Sequence, residues 1–371
     1  MRTATLVPTI AVIGTLAPLA ANAQCDTNGY DAARKYALMR DNSTYLRFVS
    51  ENDFLKLREG TDRYFTNGAH IDVFFASRYE PFLEKVFPTF CASPWRTNEY
   101  GASIGSNMYT PTDITLPIPD STDRPYAGWA YLAVRSISTD LFNKRRLICD
   151  YSFGVIGPAA QQEAVQKWVH KQISSPDPKG WDQQIRNDLA LNVGITYETE
   201  LFHPVRQLQV IGAMEGSVGT VTNYLGLGGT FRFGTMNDYF VQEFGLRDVD
   251  STYGEAFDSL LVGSPHHVFK ENARRRFQLF FFIKPYLRAV LDNSLLEGGW
   301  SSWSGSPHVI PSDAIERFVV GAEYGLQMVV GGIGIAYTQA FRSPEFAGAR
   351  YSHWGGIALS VRLAKGREDP R

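Results

Sequence analysis

The chain has 371 residues, a formal net charge of −2, 13% aromatic residues and 33 glycines. So balanced a charge argues against nucleic acid as a partner, and the length asks for either two soluble domains or one large β architecture. After residue 23 no stretch offers the roughly 20 uninterrupted apolar residues of a membrane-spanning helix, so residence in a membrane would require a closed barrel of strands.

Residues 1–23 read as a secretory signal. Arg2 gives a positive start, Leu6 to Leu19 is apolar but broken by Pro8 and Pro18, and Ala21-Asn22-Ala23 is a small-x-small cleavage site. The mature chain would begin at Gln24, which stands where a lipoprotein signal places a small residue and so argues against lipid attachment at Cys25. Residues 24–42 form an expected periplasmic lead-in. Cys25, Cys91 and Cys149 allow at most one intrachain disulfide and show no metal-ligand spacing.

From there the sequence predicts an all-β chain, a twelve-stranded antiparallel transmembrane β-barrel over residues 43–364. Its alternating runs are 43–53, 66–76, 98–109, 128–139, 146–156, 188–199, 206–217, 221–233, 275–292, 315–330, 332–342 and 351–364, with a tail at 365–371. The tenth run is the clearest. Phe318, Val320, Ala322, Tyr324, Leu326 and Met328 fall on one face, and Arg317, Gly321, Glu323, Gly325 and Gln327 on the other. In a dry sandwich core, charges such as Glu323 and Arg362 would be costly. A wet lumen would house them, with the apolar face turned to lipid.

An even strand count places both chain ends in the periplasm. If the first strand runs outward, residues 54–65, 110–127, 157–187, 294–314 and 343–350 are extracellular loops. Short turns such as Gly331-Gly332 lie on the periplasmic side, where the long connection 234–274 is out of place and reads as a periplasmic flap. Residues 159–171 predict a helix inside the third extracellular loop, opened by Gly157-Pro158 and closed before Pro176.

Polar residues gather where the first three loops meet the barrel. Asn52 and Asp53 close the first strand, and Thr66 shares the inward face of the second with Gly68, His70 and Asp72. Such oxygens on neighbouring strands suit a hard cation such as Ca2+, although an Asn-Asp pair equally serves to end a strand before a turn. His170 closes the loop helix. Over a barrel mouth it would be a general base near neutral pH; at a helix C-terminus it also complements the dipole. In Asp123-Arg124-Pro125-Tyr126-Ala127-Gly128-Trp129, Arg124 suits a phosphate or a bracing role, and Tyr126 and Trp129 suit an outer aromatic girdle.

SENDFL at 50–55, TDRYFTNGAHID at 61–72, GSNMYTPTDI at 105–114, DRPYAGW at 123–129, FGVIGP at 153–158 and VHKQISSPDPKGWDQQI at 169–185 resemble, in this order, the outer-membrane lipid A 3'-O-deacylase family. The resemblance spans essentially the whole mature chain. It implies a calcium-dependent carboxylic ester hydrolase in the outer membrane of a Gram-negative cell, whose site faces the outer leaflet and removes an ester-linked acyl chain from lipid A of lipopolysaccharide; a monomer is the expectation, with dimerisation left open by the sequence. By the same resemblance Asn52 and Asp53 lie beside the calcium ion, Thr66 is an active-site hydroxyl and His170 activates water. Arg124 and Tyr126 are the expected substrate contacts. Members of the family carry a glutamate six residues after the histidine. Here that position is Pro176, with Asp177 next to it as the expected further metal ligand. The alternative is a catalytically inactive barrel with a binding or structural role.

Overall fold

The computed structural model describes residues 44–56, 63–75, 80–91, 96–140, 143–237, 239–240, 277–300 and 305–364. The signal, the lead-in, Cys25 and the tail expected at 365–371 lie outside them. The described chain forms twelve strands: β1 (Thr44–Asn52), β2 (Tyr64–Phe75), β3 (Arg96–Thr110), β4 (Ala127–Asp140), β5 (Arg145–Ile156), β6 (Asp188–Val205), β7 (Leu208–Gly219), β8 (Thr222–Thr235), β9 (Phe277–Asn293), β10 (Phe318–Val330), β11 (Ile333–Arg342) and β12 (Ser352–Ala364). Helix α1 is Glu80–Val86, α2 is Gln162–Ile173, and α3 is the single turn Ser294–Glu297. Every strand pairs antiparallel with its neighbours in sequence, and β1 pairs with β12, so the sheet closes into a barrel. No helix among the described residues is long and apolar enough to cross a membrane; the strands are the elements that can.

Closure follows from period-two patterning. On β10, Phe318, Val320, Tyr324, Leu326, Met328 and Val330 are turned outward and exposed, while Val319, Glu323 and Gln327 are buried inside. The same alternation runs through β2, where Ile71 and Phe75 face out and His70 and Asp72 face in. An apolar belt facing lipid and a polar interior are what a membrane barrel requires.

The interior departs from the expected wet lumen. Glu323 is buried, and so are charges on most of the strands, several of which pair with one another. Arg47 Nε donates to Asp72 Oδ2 at 2.7 Å, Arg135 pairs with Asp150, and Arg288 Nε donates to Glu215 Oε1 at 2.7 Å. Arg288 also lies over the Tyr224 and Tyr286 rings, 4.6 and 4.5 Å from their centroids. Pairing of this kind offsets the desolvation of charges placed among side chains.

Of the long connection after β8, expected to be a periplasmic flap, only the first residues are described. Its first residues turn inward, burying Met236, Tyr239 and Phe240 at the lower end of the barrel, the end that carries the short turns. The Tyr239 ring receives the Arg146 guanidinium at 5.0 Å and that of Arg232 at 4.9 Å, and Lys144 lies 5.9 Å from the Phe240 ring. Cation–π attraction to desolvated guanidinium groups holds this segment in the barrel end. The remainder of that connection lies outside the described residues. Cys149 is a buried free thiol.

Candidate active site at the capped mouth

The loops that follow odd-numbered strands gather at the upper end of the barrel. Loop 111–126 and loop 157–187 are zipped together: Ile185 N–H donates to Tyr126 O, and Lys179 N–H to Ile114 O, both at 2.9 Å. Tyr126 packs against Trp181 with ring planes tilted by 46° and centroids 4.7 Å apart, and its hydroxyl donates to Ile114 O at 3.2 Å. Gly180 permits this approach, because a Cβ there would lie 2.6 Å from the Tyr126 ring. Beneath them Phe65, Tyr109, Trp129, Ile156, Ile185, Leu295 and Trp354 belong to one apolar cluster.

Asn52 ends β1. Its Oδ1 accepts the Phe54 N–H at 2.7 Å, capping the 3-10 turn Asp53–Leu55. Asp53 is buried, and its Oδ2 accepts the Arg63 N–H at 3.1 Å, closing loop one onto itself. On the adjoining strand Asn67 is the register partner of Asn52. Thr66 sits just before it at a break in the β2–β3 register between Phe65 and Asn67. A bulge re-aims side chains: Tyr64, Phe65 and Thr66 are buried in succession, and Thr66 Oγ1 shares a hydrogen bond of 2.7 Å with Thr110 Oγ1. Asn52, Asp53 and Thr66 are thus brought to neighbouring positions on two strands.

His170 comes from α2, whose polar residues Gln162, Gln166 and His170 recur every four positions and are all buried. That spacing puts them on one face of the helix. The face packs toward the barrel wall, for a Cβ on Gly128 of β4 would meet Gln162 Cγ at 2.8 Å. Gln166 Oε1 accepts the Trp181 indole N–H at 2.7 Å, while Gln166 Nε2 and Gln162 Oε1 are buried without a hydrogen-bond partner among the described residues. His170 Nδ1 lies 2.6 Å from Pro176 O. A carbonyl accepts only, so Nδ1 carries the proton and the neutral ring has its lone pair on Nε2. The sequence reading missed the two glutamines and Trp181; a polar stripe at i, i+4 and i+8 in QEAVQKWVHKQI was the available signal.

Arg124 and Tyr126 do not take the surface positions expected of substrate contacts. Tyr126 and Trp129 are fully buried and not part of an outer girdle, because both pack under the joined loops. Arg124 is also buried. Its Nη1 donates to Glu345 Oε2 at 2.5 Å, and its guanidinium lies 4.4 Å from the Tyr109 ring centroid. Asp177 is exposed, and its charge, together with that of Asp182, reaches Lys167, whose ammonium is held above its ordinary range chiefly by a hydrogen bond to Glu163. For a hard divalent cation, Asn52 and Asp53 are a fitting start, being oxygen donors on one short turn. Among the described residues no group of three or more His, Cys, Asp or Glu side chains gathers to hold a metal ion, so further ligands would be amide or backbone oxygens, Asp177 after a loop movement, or water.

A closed antiparallel barrel with an apolar belt, a charged and packed interior and a loop-capped mouth defines an outer membrane β-barrel protein. Within that class, the family described as outer membrane protein LpxR matches residues 9–363, and the chain belongs to it. The solved structure of LpxR from Salmonella typhimurium has a similar fold: TM-score 0.66 at 15% identity, covering 86% of this chain and 100% of that one. The β domain of the Bordetella autotransporter BrkA (9% identity, 86% and 98% covered, TM-score 0.31) and the translocator domain of NalP from Neisseria meningitidis (9% identity, 86% and 87% covered, TM-score 0.32) are far less similar. No curated protein matches the chain.

Proposed function

We propose that the protein is a lipid A deacylase, hydrolysing an ester-linked acyl chain, at the 3'-O position by family, from lipopolysaccharide in the outer leaflet. The observation that carries the reading is the His170 ring, buried on the inner face of α2 and held through Nδ1 by the Pro176 carbonyl at 2.6 Å. With that tautomer fixed, Nε2 takes a proton from water as the oxygen attacks the ester carbonyl. The resulting imidazolium returns the proton to the departing lipid A alkoxide as the C–O bond breaks, releasing a free fatty acid. No covalent enzyme intermediate is needed. Gln166 Nε2, one helical turn before His170, is an unmet donor suited to the carbonyl oxygen as charge develops there.

A calcium ion held by Asn52 and Asp53, with Asp177 as a further ligand, would supply Lewis-acid polarisation of that carbonyl. Thr66, tied to Thr110, fixes the wall beside the reacting ester. Arg124 and Tyr126, both buried, would influence substrate binding only indirectly, by bracing the mouth, and the joined loops exclude water from the reaction.

The alternative, a barrel with only a binding or structural role, draws on exposed Asp177, which stands next to Pro176 where relatives place a carboxylate. Lipid A mass spectrometry after expression in a host with intact lipid A separates the two readings. Loss of one acyl chain with the wild type, and its retention with His170→Ala or under calcium chelation, is the expected result. Unchanged lipid A spectra with the wild type, present as a folded heat-modifiable barrel, would leave the silent barrel.

A further inference from the structure

The outer wall of the barrel is not uniformly apolar. On most strands the belt runs down to the lower end, with Phe233, Phe277, Val330, Ile333 and Leu363 all exposed there. Over β3 to β5 the corresponding outward positions include Asn98, Ser136, Ser138 and Cys149, a poor surface for lipid, yet each is buried.

What covers them is the chain from α1 to Cys91, strapped along the outside. Phe90 N–H donates to Ser138 Oγ at 3.1 Å, and Arg96 Nη1 donates to Phe90 O at 2.9 Å. Asn98 Nδ2 donates to Glu84 Oε1 at 3.0 Å, and Arg96 also pairs with Glu84. Tyr151 donates to Val86 O at 3.0 Å, and the Phe87 ring lies 5.1 Å from the Tyr151 ring and packs over Cys149. These bonds are made by outward-facing strand residues, so the strap is part of the outer surface and no part of the lumen.

Its own outer face is apolar. Phe82 is 65% exposed and Val86 49% exposed, one turn apart on α1, with Lys85 exposed between them. That pair restores the missing stretch of belt, and the cationic stem suits the level of lipid headgroups.

We propose that the segment Glu80–Cys91 is a membrane-interface strap, in which Phe82 and Val86 enter the acyl-chain boundary of the phospholipid leaflet opposite the capped mouth. The occupant is lipid because the face is continuous with the lipid-facing belt around the same end of the barrel. A protein partner seated there would have to displace membrane on both sides.

The test is a depth measurement by spin labelling in phospholipid vesicles, in protein lacking Cys25 and Cys91. Nitroxides are placed singly by Phe82→Cys and Val86→Cys, with Leu132→Cys on the exposed belt as lipid reference and Thr122→Cys on an exposed loop as water reference. Collisions with oxygen exceeding those with a nickel chelate at both positions, as at Leu132, are the expected outcome. Labels at 82 and 86 that behave as the one at Thr122 overturn the proposal. Heat-modifiable migration of each labelled barrel establishes that the result comes from folded protein.

Discussion

Arg124 and Glu345 join two loops that are 221 residues apart in the chain, with Arg124 Nη1 2.5 Å from Glu345 Oε2 and both side chains almost wholly buried. Glu345 also meets a second guanidinium, Arg342 Nη1, at 3.3 Å. Arg342 lies over the Trp354 ring at 4.8 Å, and Trp354 donates from its indole nitrogen to Glu51 Oε1 at 3.1 Å. The capped mouth is therefore braced by one charge network from β1 through β12 to loop 111–126.

Removing the shared carboxylate should cost more than removing either arginine. Glu345→Ala leaves Arg124 and Arg342 together without their common counter-charge, and breaking a buried pair in this way costs about 3–5 kcal/mol. Arg124→Ala leaves Glu345 with Arg342 and should cost less. Urea unfolding in detergent, followed by the heat-modifiable gel shift, is expected to rank the Glu345→Ala midpoint below that of Arg124→Ala. Equal midpoints would place the brace elsewhere.

The barrel was legible because lipid on one side and polar groups on the other force a period of two on every strand, and eleven of the twelve runs appear within three residues of their expected bounds, while β6 continues six residues past 199 to Val205. The charges inside were legible as inward but not as paired. Partners such as Arg288 and Glu215 are 73 residues apart, and only the closed sheet brings them together. Asn52, Asp53 and Thr66 were readable as neighbours because strand pairing places them. The burial of Arg124 and Tyr126 was not, since it depends on loop 157–187 folding back over them, and no local periodicity reports a loop-to-loop contact. The strap was hidden for the same reason: Asn98 and Ser138 look like ordinary strand residues until the segment from α1 to Cys91 covers them.

Replacing His170 separates chemistry from folding. His170→Gln keeps a side chain able to donate toward Pro176 but cannot accept a proton from water, so deacylation should fall by about 10²- to 10⁴-fold, the usual contribution of a general base. The gel-shift behaviour should stay that of the wild type. Asp53→Asn should lower activity in a manner partly relieved by raised calcium; quantifying released fatty acid across a calcium titration checks both variants together.

The hydroxyl pair Thr66 and Thr110 gives a prediction on stability. Thr66→Val keeps the shape but leaves the buried Thr110 hydroxyl without its 2.7 Å partner, a penalty of about 1–3 kcal/mol. Pairing it with Thr110→Val should recover much of that loss. A double-mutant cycle by urea unfolding with a coupling near zero would show that the two hydroxyls do not depend on each other.

A packed interior closed below by Tyr239 and Phe240 predicts the absence of a pore. Purified protein in planar bilayers should give no steady single-channel current. A stable conductance in folded wild-type protein would contradict the ion-paired interior.

His308, buried in loop 294–317 with neither ring nitrogen hydrogen-bonded among the described residues, lies beside Ser121 and Asp123 of loop 111–126, and that contact is expected to respond to acid. Burial is the main cause that holds its imidazole below the ordinary value of 6.5, opposed more weakly by the neighbouring backbone of Asp123 and Ser121 and by the Asp123 and Asp120 carboxylates. A histidine with a lowered folded value favours the neutral ring when docked. The undocked state therefore binds more protons, and docking is stabilised as pH rises. That stabilisation is fully present above about 6.5 and is lost progressively as pH falls from there toward the docked value. Hydrogen–deuterium exchange of residues 305–310, corrected for the intrinsic effect of pH on exchange, should show protection falling between pH 7 and pH 5 in the wild type. His308→Gln, with no charge to gain, should flatten that response; an unchanged slope in the variant would assign the acid sensitivity to another group.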